Sequence, residues 1–157
     1  MSVESSPSRM RAWQPLADAM RGSLLLLGHP DYEERRRVWN GAIDRRPLAI
    51  ARCDDAEDVS IAVKFAASEH LPLTIRGGGH NVAGLAVRDG ALMLDLAALS
   101  RVEVDAQARV VRVEGGALWR DVDAATQPHG LATTGGFVSS TGVGGLTLGG
   151  GVGWLMR

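Results

Sequence analysis

The stretch IRGGGHNVAG, residues 75–84, contains three consecutive glycines and then His80, directly after a short apolar run. Glycine lets backbone N–H groups approach a ligand closely, so a glycine run can form a concavity that binds phosphate. Glycine runs also form plain tight turns, and a single histidine often has only a structural role. The segment therefore predicts either a turn or an anion-binding loop with one imidazole beside it.

A second glycine-rich segment lies at the end of the sequence. Nine of the 20 glycines fall between residues 135 and 153, and SSTGVGG at 139–145 adds hydroxyl groups that can donate to phosphate oxygens. Two such loops could hold one diphosphate from both sides without a lysine. Because the sequence stops inside this segment, we expect an incomplete domain.

Three glycine-containing motifs can be tested directly on the sequence. The P-loop requires a lysine next to its glycines, and Lys64, the only lysine, lies far from any glycine. No window fits the dinucleotide fingerprint G-x-G-x-x-G, and the nucleophile elbow G-x-S-x-G is absent as well. These motifs are excluded, and a phosphate cradle for some other nucleotide stays open as an alternative.

The composition is that of one soluble globular domain, with 45% hydrophobic residues, 22% charged residues and a net charge of -1. The 17 basic residues are scattered, so nucleic acid is not an expected partner. Cys53 is the only cysteine and the histidines lack ligand spacing, so we expect no metal site. Apolar runs are too short for a membrane span or a signal sequence, which favours a cytoplasmic protein without a membrane partner.

Hydrophobic periodicity predicts a βαβ unit in the first half of the chain. The apolar run at 48–53 and LTIR at 73–76 are typical of buried strands. Apolar residues recur at helical spacing over 55–69, and Asp54 or Asp55 offers an N-cap. A helix that crosses between two strands makes them parallel.

The second half adds further strands and one helix. We expect a strand at 91–96, a hairpin with one solvated face over 101–114, and a helix over 117–129 that Gly130 ends. Residues 131–154 show neither periodicity and are predicted to be rich in loops. The fold class is therefore α+β.

The N-terminal part is predicted to be a leader. Residues 1–15 are polar and contain prolines, so we expect little structure there, and 16–28 could form one short helix. The predicted division is a leader over 1–31 and one domain over 32–157.

Taken together, RGGGHNVAG, a strand ending in LDL, RVEGGALWRDVD and ATTGGFVSSTGVGGLTLGGGVGWL resemble the N-terminal part of FAD-linked oxidases of the berberine-bridge-enzyme type. The resemblance runs from about Tyr32 to the last residue. It implies a PCMH-type (vanillyl-alcohol-oxidase-like) FAD-binding fold with a βαβ-containing first subdomain and the start of a glycine-rich second subdomain, truncated at its C-terminal end. FAD would lie between the two subdomains.

The resemblance also implies how FAD is held. In this family the histidine of the R-[SG]-G-G-H stretch bonds covalently to the 8α-methyl of the flavin, and that residue is His80 here. Some members make a second link from a cysteine, and Val138 occupies its position, so a single covalent link is implied. The implied cofactor-binding residues are Arg76, Gly77, Gly78, Gly79, His80, Asn81, Gly84, Gly136, Ser140, Thr141, Gly142, Val143 and Gly145.

The implied function is the FAD-binding portion of a flavin-dependent oxidase. Such an enzyme passes a hydride from a small-molecule substrate to the flavin and the electrons on to oxygen. The substrate pocket and catalytic base belong to a domain outside this sequence, so no residue here is assigned a catalytic role. The alternatives are a non-enzymatic truncated fragment, or one half of a split FAD-binding protein.

Overall fold

The structure is a computed structural model that describes residues 7–155, with side chains from residue 11 onward. Residues 1–6 of the predicted leader and 156–157 of the predicted domain lie outside the described residues. The elements in chain order are α1 (Pro7–Ala19), β1 (Ser23–Leu26), α2 (Tyr32–Arg35), β2 (Ala49–Arg52), α3 (Ala56–Ser68), β3 (Leu73–Arg76), β4 (Leu92–Asp95), β5 (Val102–Asp105), β6 (Val110–Val113), α4 (Trp119–Thr126) and α5 (Val143–Gly149).

The first sheet contains the predicted βαβ unit. Its strand order is β1-β2-β4-β3, and both β2 and β3 run parallel to β4, which lies between them. β1 adds an antiparallel edge. The expectation that β2 and β3 are parallel is confirmed, because a crossover helix brings the chain back to the same end of the sheet.

Helix α3 covers this sheet and begins where the sequence indicates. The Asp55 side chain accepts a hydrogen bond from the Asp58 backbone N–H at 2.9 Å, which is the N-cap. Ala62 and Ala66 are buried on the face that packs with the strand residues Leu92 and Leu94. Each fully buried leucine contributes about 2 kcal/mol through apolar area removed from water.

A separate two-stranded sheet follows, and the predicted hairpin is confirmed. β5 and β6 are antiparallel and alternate between half-buried and exposed residues. Helix α4 packs on β5, but it ends at Thr126 and continues as a 3-10 turn over Gln127–His129. Pro128 has no N–H to extend the α-helical bonding, and Gly130 then takes the left-handed conformation at φ 62.

The expectations for residues 1–28 are wrong over the described part. Residues 7–15 belong to α1, and 16–28 are divided between the end of α1 and strand β1. Trp13 and Leu16 enter the core beside α3, which stabilises the helix in spite of its polar composition. β1 forms because its leucines pair with β2. The boundary between a leader over 1–31 and a domain over 32–157 stays a prediction.

Helix α5 is a second difference from the sequence-based expectation. The segment VGGLTLG has low helix propensity, and loops were predicted there. Its first turn forms because the Val143 N–H donates to the Ala117 carbonyl at 2.9 Å and the Leu146 N–H donates to the Gly142 carbonyl at 3.2 Å. Contacts with the preceding chain therefore override local propensity.

Asp58 joins the N-terminal segment to the βαβ unit. Its buried carboxylate accepts backbone N–H bonds from Arg21 at 2.8 Å, Gly22 at 2.9 Å and Asp54 at 2.9 Å. Burial acts to raise the pKa of Asp58, but the three N–H donors and the Arg21 charge outweigh it and hold the pKa below 3.8. The ionised form is therefore the one that stabilises the fold.

Replacing this carboxylate tests that role. Asp58→Asn should lower the free energy of unfolding by about 2 kcal/mol at pH 7, because an amide keeps only one acceptor oxygen for three donors. A carboxylate whose pKa is depressed by folding stabilises above its unfolded pKa and loses that contribution as the pH falls through its folded pKa. The difference from wild type should thus shrink below about pH 4.

Chemical denaturation at several pH values measures this difference. Glu57→Gln, at an exposed position in the same first turn of α3, is the matched control and should stay within about 0.5 kcal/mol of wild type. Equal stability of the two variants would contradict the assigned role of Asp58.

Candidate functional site

The first glycine loop begins where β3 ends. The strand finishes at Arg76, and residues 77–81 continue from it at the carboxyl end of the parallel strands. Among the backbone hydrogen bonds formed outside helices and strands within 7–155, none has an N–H of residues 77–81 as its donor. These five amides thus have no backbone acceptor among the described residues, which an anion-binding loop requires.

Arg76, the last residue of β3, anchors the start of this loop. Its guanidinium donates to Asp95 through Nε at 3.3 Å and Nη2 at 2.7 Å, and through Nη1 to the Arg37 carbonyl at 3.2 Å. The Asp95 side chain is 1% exposed and that of Arg76 is 14% exposed. The resemblance implies that Arg76 binds the cofactor, and in this structure its guanidinium is engaged by Asp95 and the Arg37 carbonyl, which orients the loop.

The second glycine loop is held by the N-terminal end of α4. The Trp119 N–H donates to the Thr141 carbonyl and the Arg120 N–H donates to the Ser139 carbonyl, both at 3.0 Å. Leu118 and Gly142 form an isolated antiparallel bridge. The first amides of α4 are therefore satisfied by loop carbonyls, and these bonds fix the path of residues 139–142.

The two loops touch through their backbones. A Cβ atom on Gly78 would overlap the backbone nitrogen of Gly142 and lie 2.6 Å from its Cα, and a Cβ on Gly142 would overlap the Gly78 nitrogen in turn. Only glycine allows such an approach. The expectation that both loops face one site therefore agrees with their placement.

A cleft of about 290 Å³ lies between the loops. Its walls are backbone, apolar side chains and the polar side chains of His80, Asn81 and Thr141, and within the described part of the chain His80 is the only ionisable one of them. The lining residues are Ile75, Gly77, Gly78, Gly79, His80, Asn81, Leu85, Ala86, Thr141, Gly142, Gly145, Leu146, Gly149 and Gly150.

His80 connects the two loops. Its Nε2 lies 3.1 Å from Oγ of Ser140, which belongs to the second loop. On another side its ring stacks on Trp39, with ring centroids 5.1 Å apart and planes 22° apart. His80 is half-buried, so part of its surface stays accessible.

The implied cofactor residues divide into two groups by position. Eight line the cleft, namely Gly77, Gly78, Gly79, His80, Asn81, Thr141, Gly142 and Gly145, and Ser140 contacts His80. The other four support it from outside. Arg76 binds Asp95, Gly84 is a left-handed turn residue over Ile43, Gly136 packs on Trp119 and Leu146, and Val143 bonds to Ala117.

Segment 36–46 also supports the site, and sequence reasoning missed it. The Trp39 N–H donates to the Gly79 carbonyl at 3.0 Å, and Asn40 Nδ2 donates to the Val82 carbonyl at 2.8 Å. Arg45 donates to the carbonyls of Gly84 and Val87, both at 3.1 Å. The segment has no hydrophobic periodicity. Trp39 and Asn40, next to a turn, are the only sequence feature that could have indicated a supporting role.

Cys53 and Val138 bear on the implied single flavin link, which stays a prediction. Cys53 is buried in the core, and burial raises the pKa of its thiol to about 12. Val138 is half-exposed near the second loop. Within residues 7–155 no three His, Cys, Asp or Glu side chains are gathered to hold a metal ion, and no helix is long and apolar enough to cross a membrane.

A protein family described as "FAD binding domain" matches residues 47–157. The chain belongs to this family. Among curated proteins, this FAD binding domain is 33% identical over 137 residues to (R)-6-hydroxynicotine oxidase of Paenarthrobacter nicotinovorans, covering 87% of this chain and 30% of that protein. It is 35% identical over 146 residues to the FAD-linked oxidoreductase pgmH of Aspergillus terreus, covering 90% of this chain and 30% of that protein.

Solved structures agree with the fold of this FAD binding domain. The crystal structure of 6-hydroxy-D-nicotine oxidase from Arthrobacter nicotinovorans matches with a TM-score of 0.84 and 33% identity, covering 87% of this chain and 30% of that one. A variant of Physcomitrella patens BBE-like 1 matches with a TM-score of 0.82 and 25% identity, covering 89% and 31%. The PCMH-type α+β fold is confirmed, and the chain spans about 30% of these relatives' length.

The residues of the cleft fit FAD. The pyrophosphate is an anion, and the unbonded amides of 77–81 are donors that can surround it at close range because three of them belong to glycines. Ile75, Leu85 and Leu146 offer apolar walls for a flat ring system. His80, whose own amide is one of these five, places its imidazole in the same cleft wall.

The close contact of the loops can be tested by adding one methyl group. Gly78→Ala should lower the free energy of unfolding by about 2 kcal/mol, because the new Cβ forces the Gly142 backbone away. Gly41→Ala is the control, since a Cβ there meets nothing within 4 Å, and it should be neutral or slightly stabilising. Urea unfolding compares the two, and equal midpoints would refute the contact.

The anchor of the first loop gives a second test. Arg76→Gln should cost about 3 kcal/mol in unfolding free energy, because it leaves the buried Asp95 carboxylate without its main partner. Arg101→Gln removes an arginine whose pairs with Glu103 and Glu114 are exposed, and should change stability by less than about 1 kcal/mol. Thermal and urea unfolding measure both variants. If Arg76→Gln lost no more stability than Arg101→Gln, Asp95 would not be the anchor point of the loop.

Proposed function

We propose that this chain binds FAD as part of a flavin-dependent oxidoreductase, with the pyrophosphate on the amides of 77–81 and a covalent bond from His80 to the 8α-methyl of the flavin. The observation that carries the proposal is the position of His80. It lies in the wall of a cleft made by both glycine loops, within a row of amides that donate to no backbone acceptor.

The chain's own residues would do three things for the cofactor. The amides of 77–81 would donate to the pyrophosphate, and Thr141, Gly142 and Gly145 would face it from the second loop. Ile75, Leu85 and Leu146 exclude water from one side of the ring system. His80 supplies a neutral imidazole nitrogen as the covalent attachment point.

When bound, FAD supplies the hydride acceptor and passes the electrons on to oxygen. The substrate we propose is a small molecule oxidised at a C–H bond beside an oxygen or nitrogen. No ionisable group other than His80 lines the cleft within residues 7–155, so the group that accepts the substrate proton is proposed to come from a part of the protein beyond this chain.

The second candidate function is FAD binding without turnover. Its support is that the chain spans only 30% of (R)-6-hydroxynicotine oxidase and of pgmH. The isolated chain would then bind the cofactor, while oxidation would need a further polypeptide segment. A peroxide assay on the flavin-loaded chain separates the two candidates.

The decisive experiment is to express the chain with FAD available, denature it in acid and look for an FAD mass increment on the peptide that contains His80. We expect flavin to stay on that peptide and His80→Ala to abolish it, because the attachment atom is gone. His129→Ala, an exposed histidine outside the cleft, should keep the increment. Flavin released completely from the wild-type chain would refute the covalent link, and a colourless wild-type protein would refute FAD binding by this chain.

A further inference from the structure

Two contacts fix the imidazole of His80 in orientation. Nε2 lies 3.1 Å from Ser140 Oγ, and the ring face stacks on Trp39. The stacking sets the plane of the ring, and the hydrogen bond sets its rotation within that plane. A histidine side chain has two rotatable bonds, so these two contacts are sufficient to hold it in one pose.

Both contacting residues are themselves held by backbone bonds. Trp39 is tied to the first loop because its N–H donates to the Gly79 carbonyl at 3.0 Å. The neighbour of Ser140, Ser139, accepts from the Arg120 N–H at 3.0 Å, and Thr141 accepts from the Trp119 N–H at 3.0 Å. Ser140 is therefore positioned from both sides although its side chain is exposed.

The two nitrogens of His80 have different surroundings. Nε2 is engaged by Ser140, whereas Nδ1 makes no hydrogen bond with any of residues 7–155. A neutral imidazole carries its proton on one nitrogen and a lone pair on the other. Only the nitrogen with the lone pair can form a bond to carbon.

We infer that Ser140 is a positioning residue that accepts a hydrogen bond from Nε2–H of His80 and thereby keeps the lone pair on Nδ1, the nitrogen that bonds to FAD. This inference rests on the proposed function and deepens it. A serine hydroxyl can donate or accept, so the 3.1 Å contact alone fits both tautomers. The open nitrogen decides between them, because Nδ1 is the one that is free to reach a ligand.

The bond that forms is C–N, between Nδ1 and the 8α-carbon. One methyl hydrogen and the Nε2 proton are lost, and the two electrons pass to dioxygen, which leaves as hydrogen peroxide. Positive charge develops on the imidazole as the bond forms, and this strengthens the donor Nε2–H. A hydrogen bond to a charged group is roughly twice as strong as a neutral one, so Ser140 stabilises the charged stage most.

The first measurement needs no FAD. Long-range nitrogen–proton NMR on the full 157-residue chain reports which His80 nitrogen carries the proton, at about pH 9, above the titration range of ordinary histidines. The His80 signal is assigned by its loss in His80→Gln. We expect the Nε2–H tautomer in wild type and in Ser139→Ala, and a mixture of tautomers in Ser140→Ala.

The second measurement is the rate at which the FAD mass increment appears on the His80 peptide. Ser140→Ala should slow it about tenfold, the loss expected for one hydrogen bond to a developing charge. Ser140→Thr keeps the hydroxyl and should recover most of the rate, and Ser139→Ala should stay within about twofold of wild type. If Ser140 only stabilised the fold, its variants would not show both this ranking of attachment rates and a change of His80 tautomer.

Each result has a distinct meaning. A wild-type Nδ1–H tautomer, or identical tautomers and rates in Ser140→Ala and Ser139→Ala, would overturn the inference. A wild-type chain that shows the Ser140-dependent tautomer but gains no covalent FAD would support the positioning role and refute the covalent link. Slow attachment in Ser140→Ala with loss of the tautomer bias supports both.

Discussion

The backbones of Gly78 and Gly142 pass so close that neither residue has room for a side chain, and the site depends on this contact. Gly78 follows a strand of the parallel sheet. Gly142 lies 64 residues later in the sequence and precedes a short helix. The contact determines how the two loops are spaced. The cleft between them and the reach from His80 to Ser140 both follow from it.

The rest of the architecture keeps those two loops in place. The first loop is fixed at its base by the ion pair of Arg76 with the buried Asp95, which lie opposite each other in register on adjacent parallel strands. The second loop is fixed by the first amides of α4. Segment 36–46 braces the outer side of the first loop. The amides of 77–81 need no backbone acceptor of their own, because these other bonds hold the loops in place.

Sequence patterns predicted the elements that form through interactions between residues close together in the sequence. β3 was predicted at its observed bounds, and α3 with its Asp55 cap follows from helical spacing and one carboxylate. Helix α5 could not be predicted, because its glycines disfavour a helix and its first bonds go to Ala117 and Gly142. The bracing segment 36–46 was missed for the same reason, since its function lies in bonds to residues about 40 positions away. For the site, glycine spacing and resemblance identified the loops, whereas the His80–Ser140 and His80–Trp39 contacts needed coordinates.

The cleft has no lysine or arginine in its wall within the described residues, so the charge of a diphosphate would be met by peptide dipoles and neutral polar side chains. Peptide dipoles are fixed in direction and act at contact range, whereas the attraction of side-chain cations extends about 10 Å at moderate salt. A site of this kind does not draw polyanions from a distance, and added electrolyte does little to weaken it. Recognition in such a site depends on how closely the ligand fits the backbone that lines it.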